Sequence, residues 1–461
     1  MSHALTKRLF APTDIASLVF FRILFGAVML WEVWTSFSSG RIRRDFIDPS
    51  FHFTYSGFSW IKPWPADGMF IHFFILGGLA LLILVGLFYR LSMALFVLAY
   101  AYLFLLDQSL YQNHGYLVLL LGSLMIFLPA HRVLSVDVWL KPGLRTESIS
   151  AWPLWLLRGQ IFLVILFAAV SMMNADWVSG DAIRGWLSRR SDVTVAGPLI
   201  PAGRFLAQPW LADVIAWGAL AINLLALPCL LWRRARLVAF ITLAAFNLIN
   251  ARLFGDIGLP WLMIAATALF FAPNWPRQLF NWPRKEPIDA SEIAPIIHTP
   301  FEQRKIITLL AAYLLVQTVI PLRHFLYAGS VNWTEEGHRF AWRQRVRHKN
   351  TQVSLTATDP ATGEKWPVNP ADYLAPHQLN PLKYQPELVL QLAHHVSEVY
   401  REQGRPGIEV RATAPCSLNG HERALLIDPT VNLAAQPRAL APAPWIMPQK
   451  QTPALANATD E

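Results

Sequence analysis

The residues of this chain that could do chemistry are polar side chains inside long apolar runs. Arg22, Arg158 and Gln160 lie within two such runs, and Asn247 and Asn250 lie close together in a later one. An ionisable group in hydrocarbon costs several kcal/mol, so it faces other protein groups and needs a partner. Each of these residues is therefore a candidate for binding a polar ligand inside an apolar environment.

Asp107 and His114 add an acid and a histidine at the short loop between two apolar runs. A histidine exchanges protons near neutral pH, which suits proton transfer. Structural roles compete with these chemical ones. Arg22 and Arg158 would also be satisfied by a buried ion pair or by backbone carbonyls, and a loop carbonyl would satisfy His114. Asn247 and Asn250 would be satisfied by hydrogen bonds between helices.

Several signatures of soluble enzymes are missing from the sequence. It contains no HExxH, Walker A, GxSxG or GxGxxG motif, so peptidase, nucleotide-binding and hydrolase functions lack support. It has two cysteines and no CxxC pattern, so we expect neither a disulfide framework nor a metal site. No inverted repeat is evident, and a transporter therefore remains a hypothesis without a positive signal.

The elements that position these residues are apolar helices. The chain is 54% hydrophobic and 15% charged, against roughly 25% charged residues in soluble domains. A helix that crosses a bilayer needs roughly 20 apolar residues. The sequence predicts nine such spans, the third, fourth, eighth and ninth being the weaker ones: Ala16–Phe37, Met69–Phe88, Leu91–Leu106, Gly115–Leu128, Leu154–Met173, Trp210–Trp232, Leu237–Leu253, Ile257–Ala272 and Ile306–Pro321.

The net charge of +9 is compatible with anionic lipids or with nucleic acid. The basic residues lie mostly in short loops between apolar runs, which favours lipids, and we expect no nucleic-acid partner. A modest excess of Lys and Arg falls in the loops on the side of the N-terminus. The positive-inside rule then predicts a cytoplasmic N-terminus and an extracytoplasmic C-terminal region.

The sequence predicts three regions: a membrane domain over residues 1–321, a soluble domain over 322–435 and a disordered tail over 436–461. In the soluble domain, Val353–Thr358 alternates with period two and precedes a turn at Asp359–Gly363, which predicts a hairpin. Pro386–Tyr400 has helical spacing, and Gly407–Arg411 and Ala424–Ile427 resemble strands. We expect a small α+β or mostly β domain. The Pro- and Ala-rich end is typical of disorder.

Several segments, taken in order, resemble one known family. Leu105–Leu117 contains Leu-Leu-Asp, then Asn-His and Tyr-Leu, in the order found in the vitamin K-dependent gamma-carboxylases, whose membrane part is called the HTTM domain. The resemblance runs from about Arg8 to Ile427, and this chain is similar to a short bacterial member. The other matching segments are Leu157–Phe162, Asn174–Val178, Phe246–Asn250, Leu322–Leu326 and Asn332–Thr334.

The resemblance implies an unusual reaction. Enzymes of this family oxidise vitamin K hydroquinone with O2 to the epoxide. The oxygenated quinone removes a proton from the γ-carbon of a peptidyl glutamate, and CO2 adds to the carbanion. The implied cofactor is reduced vitamin K or menaquinol, with O2 and CO2 as co-substrates. The implied partners are membrane lipids, the quinone and a peptide or protein with glutamate residues. We expect the bacterial inner membrane as the location.

The resemblance also assigns residues. The family's histidine falls on His114, with Asn113 before it, as the catalytic pair. The family's catalytic lysine falls on Met172, and the neighbouring family lysine falls on Ser171. The residues expected to bind substrate or quinone are Asp107, Arg158, Gln160, Asp176, Trp177, Asn247 and Asn250.

Met172 leaves three hypotheses for the function open. Because a methionine cannot accept a proton, we expect little or no carboxylation if the aligned lysine is the base. The first hypothesis is a carboxylase-like quinol oxygenase. The second is a quinone-binding or redox membrane protein that does not carboxylate. The third is a transporter or a structural bundle, in which the polar residues only satisfy one another.

Overall fold

The computed structural model describes residues 3–187, 208–254, 259–282, 298–343 and 346–449. The apolar runs form helices in this part of the chain: α1 Ala16–Ser38, α2 Gly68–Val85, α3 Tyr89–Leu106, α4 Asn113–Phe127, α5 Trp152–Met172, α6 Pro209–Leu231, α7 Arg236–Phe254, α8 Leu259–Thr267 and α9 Pro300–Leu322. Shorter helices are His3–Leu9, Val136–Leu140, Ala175–Val178, Asp181–Leu187, Trp275–Leu279 and Val331–Thr334.

The protein is an integral membrane protein with six helices of the described chain long and apolar enough to cross a bilayer: Ala16–Ser38, Gly68–Val85, Tyr89–Leu106, Trp152–Met172, Trp210–Leu231 and Pro300–Leu326. The predicted count of nine spans is not confirmed. The fourth and eighth runs form the shorter helices α4 and α8, and α7 contains Arg236 and Arg252 near its two ends.

Contacts between loops define one end of the helical bundle. The strand β1 (Pro12–Asp14), just before α1, pairs antiparallel with β2 (Ser148–Ser150), just before α5. Arg277, which follows α8, lies 2.9 Å from Asp14 and also bonds Glu147. These contacts join three parts of the chain that are far apart in sequence at the end of the bundle that contains the N-terminus.

The C-terminal domain packs on the opposite end of the bundle. Its Gln378 donates a hydrogen bond of 2.7 Å to Asp107, which follows α3. Its Gln391 accepts from the backbone N–H of Thr54 in the loop between α1 and α2 at 3.0 Å. The domain is therefore held by loops at the end remote from β1 and β2.

The C-terminal domain combines two small sheets with the helices α10 (Pro376–Tyr384) and α11 (Pro386–Glu402). The predicted hairpin is confirmed, because β4 (Ser354–Thr358) pairs antiparallel with β5 (Lys365–Val368). The strand order is β5-β4-β6 in one sheet and β3-β7-β8 in the other, and the domain is α+β. The remaining strands are β3 Lys349–Thr351, β6 Glu409–Thr413, β7 Pro415–Leu418 and β8 Ala424–Leu425.

The prediction of a disordered tail from residue 436 is wrong for residues 436–449. Trp445 is 5% exposed and belongs to the core of the C-terminal domain. Ile446 forms a bridge with Ile427, and Trp333 donates its indole N–H to the carbonyl of Met447 at 2.7 Å. Proline-rich composition did not exclude packing here, because a buried tryptophan holds the segment. Residues 450–461 lie outside the described chain.

Candidate functional site

A cavity of about 350 Å³ lies between helices α5 to α8. Its wall is mostly aliphatic and aromatic, with Asn113 of α4 and Trp342 of the C-terminal domain completing it. Among the described residues, the wall contains no ionisable side chain. Five residues that the sequence predicted for catalysis or binding meet at this wall: Asn113, Met172, Trp177, Asn247 and Asn250.

Three asparagines provide most of the polarity of this cavity. The side-chain amides of Asn223, Asn247 and Asn250 each donate a 2.8 Å hydrogen bond to the backbone carbonyl four residues earlier in their own helix. A backbone carbonyl can only accept, so these bonds fix the orientation of each amide. The carbonyl oxygen and the second N–H of each amide are thereby left for hydrogen bonds to a ligand.

Met172 is the last residue of α5 and is 2% exposed. The amide nitrogen of Asn223 lies 3.9 Å from its sulfur. A thioether is a weak acceptor and does not take a proton near neutral pH. The neighbouring Ser171 donates its hydroxyl to the carbonyl of Ala168 at 2.8 Å, so it is already bonded within the helix. Neither residue at this corner of the cavity can therefore act as a base.

The predicted catalytic pair is divided between two cavities. Asn113 lines the cavity described above, donates to the carbonyl of Arg343 at 2.9 Å and accepts from the hydroxyl of Tyr111 at 3.0 Å. His114 instead lines a second cavity, which has a volume of about 580 Å³. Consecutive residues of a helix point about 100° apart, so adjacent residues at the start of α4 face different sides.

Asp107 does not line the cavity between α5 and α8. It is 1% exposed, and it bonds the side chain of Gln378, His52 at 3.2 Å and the backbone N–H of Ser109 at 2.8 Å. Asp107 therefore joins the end of α3 to the C-terminal domain. The same carboxylate that the sequence suggested for ligand binding is fully used in holding two parts of the protein together.

Asp176 and Trp177 are neighbours with different roles. The carboxylate of Asp176 accepts from Asn419 at 2.6 Å and contacts His421 at 2.9 Å, so it holds the C-terminal domain. The indole N–H of Trp177 donates to the carbonyl of Ala216 at 2.8 Å, while its ring forms part of the cavity wall. Of these two predicted binding residues, Trp177 alone lines the cavity.

Arg158 and Gln160 lie near the start of α5, and Arg158 is roughly 20 Å along the helix from Met172 at 1.5 Å per residue. Arg158 donates to the carbonyls of Leu269 at 2.8 Å and Phe271 at 3.1 Å. Gln160 accepts from the hydroxyl of Tyr313 at 2.7 Å. Both predicted binding residues thus connect α5 to other parts of the bundle. For Arg158, this is the structural role that the sequence analysis offered as an alternative, hydrogen bonding to backbone carbonyls.

Sequence reasoning missed Asn223, Trp186 and Trp342, which also line the cavity. The rule that selected Asn247 and Asn250 applies equally to Asn223, which lies within an apolar run and would have been found by it. Trp342 carries no such signal. It lies in the C-terminal domain and reaches the wall because its ring stacks on Tyr116 of α4 at 5.0 Å.

A buried ion cluster joins the segments before and after Trp342. Lys349 is fully buried, 2.8 Å from Glu335, and it donates to the carbonyls of Trp333 at 2.6 Å and Tyr384 at 2.9 Å. Burial by itself would raise the pKa of Glu335, but Arg347 and Lys349 beside it lower that pKa to about 2. Since Lys349 is engaged with Glu335, it is not free to act as the base that the resemblance places at position 172.

Two known protein domains match successive parts of the chain. The HTTM domain matches residues 10–275, more than half of the chain. The lumenal domain of vitamin K-dependent gamma-carboxylase matches residues 302–452. No solved structure matches the chain.

Proposed function

Since this chain belongs to the vitamin K-dependent gamma-carboxylase family, we propose that its intramembrane cavity binds a lipid-soluble hydroquinone. The ligand class is reduced vitamin K or menaquinol. A volume of about 350 Å³ accommodates the fused ring system with the start of its side chain. The apolar wall suits such a ligand, which reaches the site through the membrane.

The orientation of the asparagines is the observation that carries this proposal. A hydroquinone has two hydroxyl groups that donate hydrogen bonds, whereas an oxidised quinone has only acceptors. The oxygens of Asn223, Asn247 and Asn250 are acceptors in an apolar wall, and only the hydroxyl groups of the reduced ligand can satisfy them, whereas the remaining N–H of each amide can bond either redox form. The cavity therefore favours the reduced ligand over the oxidised one.

Met172 limits the chemistry that follows binding. Oxygenation by O2 begins with loss of a proton from the hydroquinone, and the described cavity wall contains no group that would accept it. Epoxide formation and CO2 addition to a peptidyl glutamate should therefore be slow or absent. This observation favours a quinol-binding member of the family that does not carboxylate efficiently over an efficient carboxylase.

The proposed location is the bacterial inner membrane, with the N-terminus cytoplasmic and the C-terminal domain extracytoplasmic. A match to a lumenal domain over residues 302–452 supports this orientation. The C-terminal domain also contributes Trp342 to the cavity wall. A glutamate-containing peptide bound by that domain would thus approach the cavity from the extracytoplasmic side.

Binding of both redox forms tests the proposal. Menaquinone-4 and its anaerobically reduced form are titrated against the protein in nanodiscs, with quenching of tryptophan fluorescence as the readout, since Trp177, Trp186 and Trp342 line the cavity. We expect Asn223→Leu to weaken binding of the reduced form about tenfold, the effect of one lost hydrogen bond. Binding of the oxidised form should change much less.

Asn350→Leu is the matched control, because Asn350 is exposed on β3 in the C-terminal domain. It should leave both affinities unchanged. Equal affinities for the two redox forms in the parent protein, or equal losses in Asn223→Leu and Asn350→Leu, would contradict the proposal.

A further inference from the structure

The second cavity is larger than the proposed quinol site and differs from it in chemistry. It lies between α1, α2 and α3, the start of α4, and α10 of the C-terminal domain, with a volume of about 580 Å³. The two cavities are lined by different residues, and Asn113 and His114 lie on different walls. A ligand of this cavity would therefore differ from the quinol and would bind independently of it.

One half of this cavity is apolar and lies among the helices of the membrane domain. Val33 of α1, Phe73 and Leu76 of α2, and Phe96 and Leu103 of α3 form this half. These residues belong to helices that are long and apolar enough to cross a bilayer, and Val33, Phe73 and Leu103 lie within about two turns of the helix ends that face the C-terminal domain. A hydrocarbon chain would bury apolar surface here.

The other half carries four charges in a chain of ion pairs. Glu32 lies 2.9 Å from Arg41, which lies 3.7 Å from Asp45, and Asp45 lies 2.6 Å from Arg44. All four residues line the cavity. The two carboxylates balance the charge of the two guanidinium groups. A purely anionic or purely cationic ligand would therefore be attracted by one kind of group and repelled by the other.

Two polar groups at this end have hydrogen-bonding capacity to spare. Oxygen Oε2 of Glu32 is buried and bonds no described residue. Both ring nitrogens of His377 are likewise buried without a partner among the described residues. Glu32 belongs to a membrane-spanning helix, where an acid is expensive unless it serves a ligand or a partner. A ligand with both donor and acceptor groups would use these atoms.

We propose that this cavity binds the head group and the start of one acyl chain of a zwitterionic ethanolamine phospholipid. The ammonium group pairs with the carboxylates of Glu32 and Asp45, and the phosphate pairs with Arg41 and Arg44. The acyl chain lies against Val33, Phe73 and Phe96. A choline head group has no N–H to donate, and a glycerol head group has no cation, so both fit less well.

Lipid competition tests this site. The purified protein is incubated in mixed micelles with palmitoyl-oleoyl phosphatidylethanolamine, phosphatidylcholine or phosphatidylglycerol, and native mass spectrometry counts the retained lipid. We expect the ethanolamine lipid to be retained at least about tenfold better than the other two, the value of one charge-assisted hydrogen bond. Equal retention of the three lipids would overturn the proposal, and this comparison needs no variant.

Glu32→Gln, which preserves the size of the side chain, should reduce that retention about tenfold while thermal unfolding shows a folded protein. Glu398→Gln is the control, because Glu398 is exposed on α11 and pairs with Arg401. Undiminished retention in Glu32→Gln would argue against the site. Soluble phosphoethanolamine should compete poorly, and effective competition would identify a soluble zwitterion instead of a lipid and overturn the proposal.

Discussion

At the scale of single residues, Met172 limits the chemistry that we propose for the cavity between α5 and α8. An amine at this position would be surrounded by an apolar wall, and removal from water favours its neutral form, which accepts a proton. The thioether has no comparable state. With methionine at this position the cavity could bind a hydroquinone but could not deprotonate it, whereas with lysine it could do both.

Met172→Lys should create or increase epoxide formation from vitamin K hydroquinone. The new amine faces the cavity and would accept the first proton. The product is quantified by chromatography after incubation with O2. Met173→Lys is the matched control, because Met173 is 54% exposed and does not line the cavity. The proposed role of position 172 would be refuted if a folded Met172→Lys protein bound the hydroquinone and still made no epoxide.

Glu335 is the second residue with a specific consequence. It is buried against Arg347 and Lys349, and replacing it by Gln leaves two buried cations without their anion. We expect Glu335→Gln to lower the free energy of unfolding by about 3 kcal/mol. Chemical denaturation in detergent measures this change. Glu364→Gln, at an exposed site, should change the free energy by less than about 0.5 kcal/mol.

The same residue predicts a pH dependence. The pKa of Glu335 is about 2 in the folded protein and would be near 4.5 when unfolded. A depressed carboxyl pKa stabilises the folded state fully above pH 4.5, and this stabilisation is lost as the pH falls toward 2. The melting temperature should therefore fall more steeply over this window in the parent protein than in Glu335→Gln. Parallel curves for the two proteins would show that Glu335 does not contribute.

At the scale of elements, the bundle depends on close approach between helices. A Cβ added at Gly26 of α1 would lie 2.7 Å from the backbone nitrogen of Leu84 in α2. Arg22, one turn earlier, donates to the carbonyls of Leu84 at 3.3 Å and Leu134 at 2.5 Å. Both residues join α1 to α2. The terminal nitrogens of Arg22 bond backbone carbonyls, which is one of the two structural roles that the sequence predicted for it.

Gly26→Ala should destabilise the bundle by about 1–3 kcal/mol, because the new methyl group meets backbone that cannot turn aside. Thermal unfolding in detergent provides the measurement. Gly78→Ala in α2 is the control: its added Cβ meets nothing within 4 Å, and alanine favours helix over glycine. If the two variants melt at the same temperature, the contact between α1 and α2 is looser than the structure indicates.

At the scale of the whole molecule, the ends of the bundle differ. One end is joined by the pairing of β1 with β2 and by Arg277, and the other carries the C-terminal domain through Asp107 and Asp176. The domain is therefore not a separate appendage. Its position brings Trp342 into the wall of a cavity formed mostly by membrane helices.

This arrangement predicts opposite labelling of the two ends in cells. In a protein with Cys229 and Cys416 replaced, Ala361→Cys on the β4–β5 turn should react with a membrane-impermeant maleimide from the extracytoplasmic side. Gly143→Cys, exposed between α4 and α5, should react only after permeabilisation. The reverse pattern would invert the proposed orientation, and labelling of both sites from one side would contradict the separation of the two ends.

Polar residues within apolar runs were found from the sequence, but their roles were not. The same criterion selected Asn247, Asn250, Arg158 and Gln160, of which only the asparagines line the cavity. Arg158 bonds a carbonyl 111 residues away. Such a bond depends on which helices lie side by side, and the cost of burying a polar group says only that some partner exists.

The sequence alone was sufficient to predict that the chain lies in a membrane, where most of its apolar helices lie and to which family it belongs, and it predicts that Met172 occupies the position of the family's lysine. These follow from local composition and from matching segments. Only the folded structure showed that Asn113 and His114 face different cavities, that Asp107 and Asp176 hold the C-terminal domain, and that Trp342 lines the cavity between α5 and α8. The reason is that helix rotation and the approach of distant segments set these contacts, and neither is encoded in any one stretch of sequence.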